Sequence, residues 1–204
     1  MKINNNLDVV HVKCVDFTFD GQGLAKYNNR TIFVPSLLID EEADVAILYR
    51  KKEYDVGKII KLTKTSPFRI NPKCKCSTSC GGCSFQNLDY HKELEYKKII
   101  ATNTINKIGK FNFKDIPIHG MEYPYFYRNK IQIPFGYDKQ HRLVYGFYKF
   151  KSHDIVPIKE CVIEDECHVK ILENIARLMK ELNIKAYDED RLNGDLRHVL
   201  IRVG

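Results

Sequence analysis

The stretch Asp20-Gly21-Gln22-Gly23-Leu24-Ala25-Lys26-Tyr27-Asn28-Asn29-Arg30-Thr31-Ile32-Phe33-Val34-Pro35-Ser36 decides how the first third of the chain folds. Turn chemistry brackets two short β-rich runs, Leu24–Tyr27 and Thr31–Val34, with glycines at one end, Asn28-Asn29 between them and Pro35-Ser36 after. Asparagine and glycine tolerate the backbone angles that tight turns demand, and β-branched or aromatic residues favour the pleated surface. Working outward, Leu7–Cys14, Asp44–Tyr49 and Tyr54–Leu62 carry the same signature. Five strands in so few residues predict a small closed barrel, because closure removes the unpaired edges of a sheet. Thr63–Pro72, with two prolines, reads as a linker.

Beyond the barrel the pattern turns mixed. Leu88–Ile108 has helical spacing at Tyr90, Leu94, Ala101, Ile105 and Ile108, and Gly109 is placed to end it. Ile116–Ile118, Lys130–Phe135, Leu143–Phe150 and His153–Ile158 read as antiparallel strands. A second helix is predicted over Glu164–Leu182, with Cys167, Ile171, Ile175, Leu178 and Leu182 on its apolar face, and a last strand over Leu196–Val203. The fold class is therefore α+β, with an N-terminal domain over residues 1–64 and a second over 65–204. The chain stops directly after an apolar strand with no polar tail, so truncation at 204 is expected.

Composition narrows the partners. The 204 residues are 44% hydrophobic and 29% charged, which excludes a disordered or collagenous chain. No run approaches a membrane span, and Met1–Asn6 lacks the apolar core of a secretory signal, so a cytoplasmic protein with no membrane partner is expected. The net charge of +7 is not spread evenly: residues 67–160 hold 16 basic and 8 acidic side chains, while the flanking segments are near neutral or acidic. A basic excess confined to the middle suits a face for a polyanion. There Tyr123, Tyr125, Phe126, Tyr127, Phe135, Tyr137, Phe147 and Tyr148 interleave with Arg128, Lys130, Lys139, Arg142, Lys149 and Lys151, the mixture with which proteins stack unpaired bases and hold phosphates. For most of these aromatics, taken singly, packing of the sheet is the simpler role.

The chain has seven cysteines, and a cytoplasmic chain does not spend them readily on disulfides. Cys74, Cys76, Cys80 and Cys83 fall within ten residues, and the spacing Cys74-x5-Cys80-x2-Cys83, with Gly81-Gly82 in the last gap, lets thiolates converge on one centre. Cys161 is the best fourth ligand and Cys76 the local alternative. Only one CxxC pair is present, where zinc ribbons use two, so the spacing leans toward a four-iron, four-sulfur cluster with zinc as the alternative. Cys14 and Cys167 read as small core residues. Gly21-Gln22-Gly23 lacks the third glycine of a dinucleotide-binding turn. Cys76-x3-Cys80-x2-Cys83 spells a radical-enzyme triad, but no barrel repeat surrounds it.

The cysteine triad followed by Ser84-Phe85-Gln86, the His153–Ile163 segment around Cys161, Tyr127-Arg128-Asn129-Lys130, Gly146-Phe147-Tyr148 with Ser152-His153, and Leu196-Arg197-His198 together resemble the RNA uracil-carbon-5 methyltransferases, specifically the 23S ribosomal RNA branch. Gly21–Ala25 and Phe33-Val34-Pro35 are similar to a TRAM domain, an OB-like RNA-binding module. The resemblance implies a 4Fe-4S cluster on Cys74, Cys80, Cys83 and Cys161, and RNA contacts from Arg128, Lys130, Phe147 and His153. It implies ribosomal RNA as partner ahead of tRNA, and a monomer. It also implies that S-adenosylmethionine and all catalytic residues belong to a Rossmann-like domain missing from this chain, so no catalytic residue is assigned here and the fragment alone is expected to be inactive. The alternative is a stand-alone RNA-binding module with a structural zinc site.

Overall fold

The structure, a computed structural model, describes residues 8–150 and 152–204. Leu7, placed in the first predicted strand, and Lys151 lie outside the described residues. The fold is α+β, with a closed five-stranded barrel, two helices and a second antiparallel sheet.

The barrel is built from β1 (Val9–Phe17), β2 (Gln22–Tyr27), β3 (Arg30–Pro35), β4 (Glu42–Arg50) and β5 (Tyr54–Lys64), in the order β1-β2-β3-β5-β4. The β2–β3 hairpin turns at Asn28 and Asn29, which both take positive φ, as the turn chemistry of the quoted stretch requires. Closure comes from parallel pairing of β3 with β5, Thr31–Phe33 meeting Tyr54–Val56. Alternate residues of each strand point inward, so Val12, Cys14, Ala25, Ile32, Val34, Ala43, Val45 and Ile47 form one buried core. Gly23 is needed where it stands: a Cβ there would lie 2.3 Å from the Leu37 carbonyl oxygen.

The predicted linker is fastened down. β5 runs to Lys64, and the Ser66 N–H and the Arg69 guanidinium both bond the buried carboxylate of Glu41. Helix α1 (Tyr90–Gly109) starts at Asp89, whose side chain accepts from the His91 and Lys92 N–H groups, and ends on Lys110 in the left-handed conformation. Gly109 is thus the last helical residue and Lys110 supplies the cap. The packed face also differs from the predicted one. Tyr96 and Ile100 lie with Phe17, Leu38, Phe85 and Leu88, whereas Ile105 and Ile108 are exposed. Residues 116–118 form no strand; the segment after the helix is irregular.

The second sheet has the order β8-β7-β6-β9, from β6 (Lys130–Tyr137), β7 (Leu143–Tyr148), β8 (Ile155–Pro157) and β9 (His198–Arg202), all antiparallel. Ile131, Ile133 and Phe135 face helix α2 (Glu166–Glu181), while Lys130 and Gln132 face out. The buried residues of α2 are His168, Leu172 and Met179, with Ile175 and Ala176 partly covered. The predicted face through Ile171, Leu178 and Leu182 is turned to solvent, and only Ile175 belongs to both descriptions.

The chain divides into two compact units that do not follow chain order. One comprises the residues through Asn71 together with Ser84–His119; the other comprises Pro72–Cys83 and Gly120–Gly204. Among the described residues no helix is long and apolar enough to cross a membrane.

Candidate metal centre and nucleic-acid interface

The second unit brings the cysteine loop to the edge of its sheet, beside Cys161. Cys80 bridges Lys149 in antiparallel fashion, and the Gly81 N–H donates to the Tyr148 carbonyl at 3.0 Å. A Cβ on Gly81 would sit 2.9 Å from the Phe150 nitrogen and 3.0 Å from the Tyr148 oxygen, so this approach excludes any other residue. Lys75 pairs with Glu160 at 2.8 Å, tying the start of the loop to the residue before Cys161.

None of the seven cysteines, all among the described residues, is in a disulfide. Burial pushes the Cys161 thiol up to about 12, against the pull of the Ile163 and Glu164 N–H groups, with Cys83 adding a small push in the same direction. Burial also raises Cys80, helped by the nearby sulfurs of Cys83, Cys74 and Cys76; the Gly82 N–H, 3.4 Å from its Sγ, works the other way. Cys76 is raised by burial and then by Cys74. Each thiol therefore feels another's charge, and backbone donors are aimed at two of the sulfurs. Among the described residues no three His, Cys, Asp or Glu groups are already drawn together as a metal-holding set. The donors nonetheless suit a soft metal or cluster. Thiolates that repel one another and accept backbone N–H bonds are stabilised when a cation joins them, with release of their protons.

The four predicted RNA residues have four different settings. Lys130 lies directly opposite Arg202 in the β6–β9 register, and neither makes an ion pair among the described residues. Like charges in cross-strand register repel, a cost that an anion lying across both would remove. Arg128 is half-buried; its N–H donates to the Ile163 carbonyl at 2.8 Å, and its charge opposes the upward shift of Glu164. That carboxyl is fully buried and pushed up to about 7 by desolvation, with His168 Nδ1 3.9 Å away. The four-residue spacing of Glu164, just before α2, and His168, in its first turn, was visible in the sequence, but burial of both was not.

Phe147 packs, partly buried, against the second core and lies close to Gly82 of the cysteine loop. His153 is exposed: its Nδ1 meets the Glu189 carboxylate at 2.8 Å and its ring leans on Tyr148, centroids 5.4 Å apart. It lines a cleft of about 560 Å³ with Tyr148, Lys149, Tyr187 and Arg197. Arg197 also holds Glu189, at 2.9 Å, and the two partners keep that carboxyl below its ordinary range, with His153 the larger influence. Sequence reasoning missed this anchor because Glu189 is 36 residues from His153.

No protein-family model matches the chain. Individual proteins do. The chain is 36% identical over 203 residues to an uncharacterized RNA methyltransferase of Halalkalibacterium halodurans, a match covering 99% of this chain and 44% of that protein. It is 37% identical over 182 residues to an uncharacterized RNA methyltransferase of Clostridium tetani, covering 89% and 39% respectively. A third, from Staphylococcus aureus, is 36% identical over 191 residues, covering 93% and 42%. The chain thus spans less than half the length of these relatives. Among solved structures it is similar to the Pyrococcus abyssi tRNA (uracil-54, C5)-methyltransferase crystallised with S-adenosyl-L-homocysteine, at a TM-score of 0.64 and 22% identity, over 95% of this chain and 42% of that one. That likeness shows a shared fold.

Proposed function

We propose that this chain is the RNA-binding, iron–sulfur-carrying part of an S-adenosylmethionine-dependent RNA uracil-carbon-5 methyltransferase, with ribosomal RNA as its substrate. The observation that carries the reading is the meeting of the Cys74–Cys83 loop with Cys161 in one compact unit, on a chain whose relatives bear the name RNA methyltransferase. Cofactor binding and methyl transfer are assigned to a portion of the parent protein outside these 204 residues, and the barrel is assigned the role of a TRAM module.

Cys74, Cys80, Cys83 and Cys161 would hold the cluster, which when bound would supply a covalent crosslink between the loop and the segment that precedes α2. The protein's own part is to deliver thiolates. The Ile163 and Glu164 N–H groups favour the thiolate of Cys161 and the Gly82 N–H that of Cys80, so each thiol can release its proton to solvent when a cation binds the sulfur. Methylation of uracil carbon-5 is a polar reaction without a redox step, and a structural role for the centre is consistent with it. Lys130 and Arg202 hold phosphate between them, and His153 is oriented by Glu189 at the mouth of its cleft. Arg128, beside buried Glu164, positions the strand start and is a poorer choice for probing phosphate than Lys130.

Anaerobically purified protein should be brown, absorb near ~400 nm and contain roughly four irons and four sulfides per chain. A colourless protein with one zinc overturns the cluster. Binding to a ribosomal RNA fragment should fall steeply with salt, and Lys130→Gln should reduce the magnitude of the log–log slope by about 0.7–0.9 per lost phosphate contact. Equal or tighter binding to tRNA would replace the substrate assignment.

A further inference from the structure

The segment just before β6 exposes aromatic surface that neither core uses. Tyr123, Phe126 and Tyr127 are 57%, 43% and 50% exposed. Tyr123 is the centre of a ring cluster: its centroid is 5.3 Å from that of Tyr125 and 6.4 Å from that of Phe126, whose plane is tilted only 21° from its own. Lys73 Nζ stands 4.0 Å from the centroid of the Tyr125 ring and 5.6 Å from that of Tyr123. All five residues belong to the second compact unit.

The arrangement is enforced by the fold. Phe126 has φ +53°, a left-handed conformation that costs a bulky side chain energy. It cannot relax, because its N–H donates to the Val162 carbonyl at 3.0 Å and the Arg128 N–H donates to the Ile163 carbonyl at 2.8 Å. The strained residue is thus held by two backbone bonds to the turn that follows Cys161, and its ring is left partly exposed. Backbone strain that the surroundings hold in place clusters at ligand sites.

The charge says what kind. Lys73 is exposed and held over the rings, Lys130 follows four residues after Phe126, and Glu122 is the one acid between residues 121 and 130. Flat rings with open faces, stacked nearly parallel and topped by an ammonium, match a flat base tethered to a phosphate. A protein partner of ordinary interface chemistry would meet a lysine head instead of an apolar centre. We infer that Tyr123 and Phe126 form a stacking platform for one unpaired base of the bound RNA, with Lys73 at its phosphate. This rests on the RNA-binding reading above.

The test uses the 204-residue chain and a ribosomal RNA fragment carrying 2-aminopurine at successive unpaired positions, whose fluorescence is quenched on stacking. At one position the parent chain should quench it. Tyr123→Ala and Phe126→Gly should each abolish that quenching and weaken binding about tenfold, the scale of one lost base–aromatic stack. Glycine at 126 accepts positive φ, so this variant should melt no lower than the parent, which separates lost recognition from lost folding. Lys73→Gln should keep the quenching and reduce the salt slope. Quenching and affinity unchanged in both ring variants would overturn the platform. So would a concentration-dependent dimer of the parent that the ring variants abolish while RNA affinity stays the same. Failure of the parent chain to bind RNA at all would instead remove the RNA reading itself, and the platform with it.

Discussion

Glu41 has no exposed side-chain surface, and both of its oxygens are engaged: the Leu38 N–H at 2.9 Å, the Ser66 N–H at 3.1 Å, and a two-pronged Arg69 guanidinium at 2.6 Å on each oxygen. Glu41→Gln keeps one acceptor oxygen but turns an amide NH2 toward the donors on the other and removes the guanidinium's counter-charge, so it should lower folding stability by about 3 kcal/mol, measured by chemical denaturation. Asp55 is a second ion-pair case with a pH signature. Its side chain is almost fully buried, and the hydrogen-bonding Arg30 guanidinium, assisted by Arg50, holds its carboxyl below the ordinary 3.8. A depressed folded value means the unfolded chain takes up the proton first as pH falls. Its stabilisation is complete above about pH 4–5 and is lost as the pH drops below 3.8 toward the folded value. Asp55→Asn should therefore lie below the parent in stability at neutral pH and show a shallower acid limb. Neither residue was legible in the sequence, because the hydrogen-bonded guanidinium of Glu41 lies 28 residues away and that of Asp55 25 away, and pattern reading carries no such distance. Cys14 was legible: an isolated cysteine at an inward position of a strand is a small apolar residue, and burial pushes its thiol up to about 11.

Helix α2 shows where periodicity stops informing. Apolar residues at 171, 172, 175, 178, 179 and 182 admit two overlapping stripes about 100° apart, and choosing between them requires knowing that His168 turns inward. A histidine argues for the solvent side in any reading by hydropathy, so the wrong stripe is the natural expectation. The distinction is measurable. Leu172→Ala should cost about 2–5 kcal/mol, because it leaves a hole against Ile131 and Ile133, whereas Leu178→Ala should stay within about 0.5 kcal/mol of the parent. The helix start is less ambiguous: Asp165 accepts from the Cys167 N–H at 2.9 Å, and Asp165→Ala should cost about 1 kcal/mol in the same assay. In α1 the misjudged face has another cause. The helix packs by Tyr96 and Ile100 against Phe17 and Phe85, and no residue of it is fully buried, so its apolar positions carry little periodic signal. The barrel was legible strand by strand because turn residues at 20–23, 28–29 and 35–36 fix where each strand can begin and end. Ile116–Ile118 had the same β-rich composition without a partner strand, and composition alone does not make a ladder.

The division into compact units is the property least visible in the sequence, since the cysteine loop leaves the barrel's unit at Pro72 and the chain returns to it at Ser84. Local patterns run along the chain and cannot show that Pro72–Cys83 packs with residues 120–204. The consequence is a prediction about metal loading. Cys74, Cys80, Cys83 and Cys161 all lie in the second unit, so whatever they bind stabilises that unit by mass action and leaves the barrel's own core of Val12, Ile32, Val34 and Val45 unchanged. Hydrogen exchange of the reconstituted chain, compared with the same chain after iron removal by chelator, should show protection gained across 72–83 and around 161–168, with β1 to β5 exchanging at equal rates. The loop should respond most strongly. Its backbone is held mainly by the Gly81 bond to Tyr148, the Cys80–Lys149 bridge and short internal turns, so the crosslink replaces contacts it otherwise lacks. Equal protection changes in barrel and loop would mean that the cysteines act on the chain as a whole and do not crosslink the loop to the segment around Cys161.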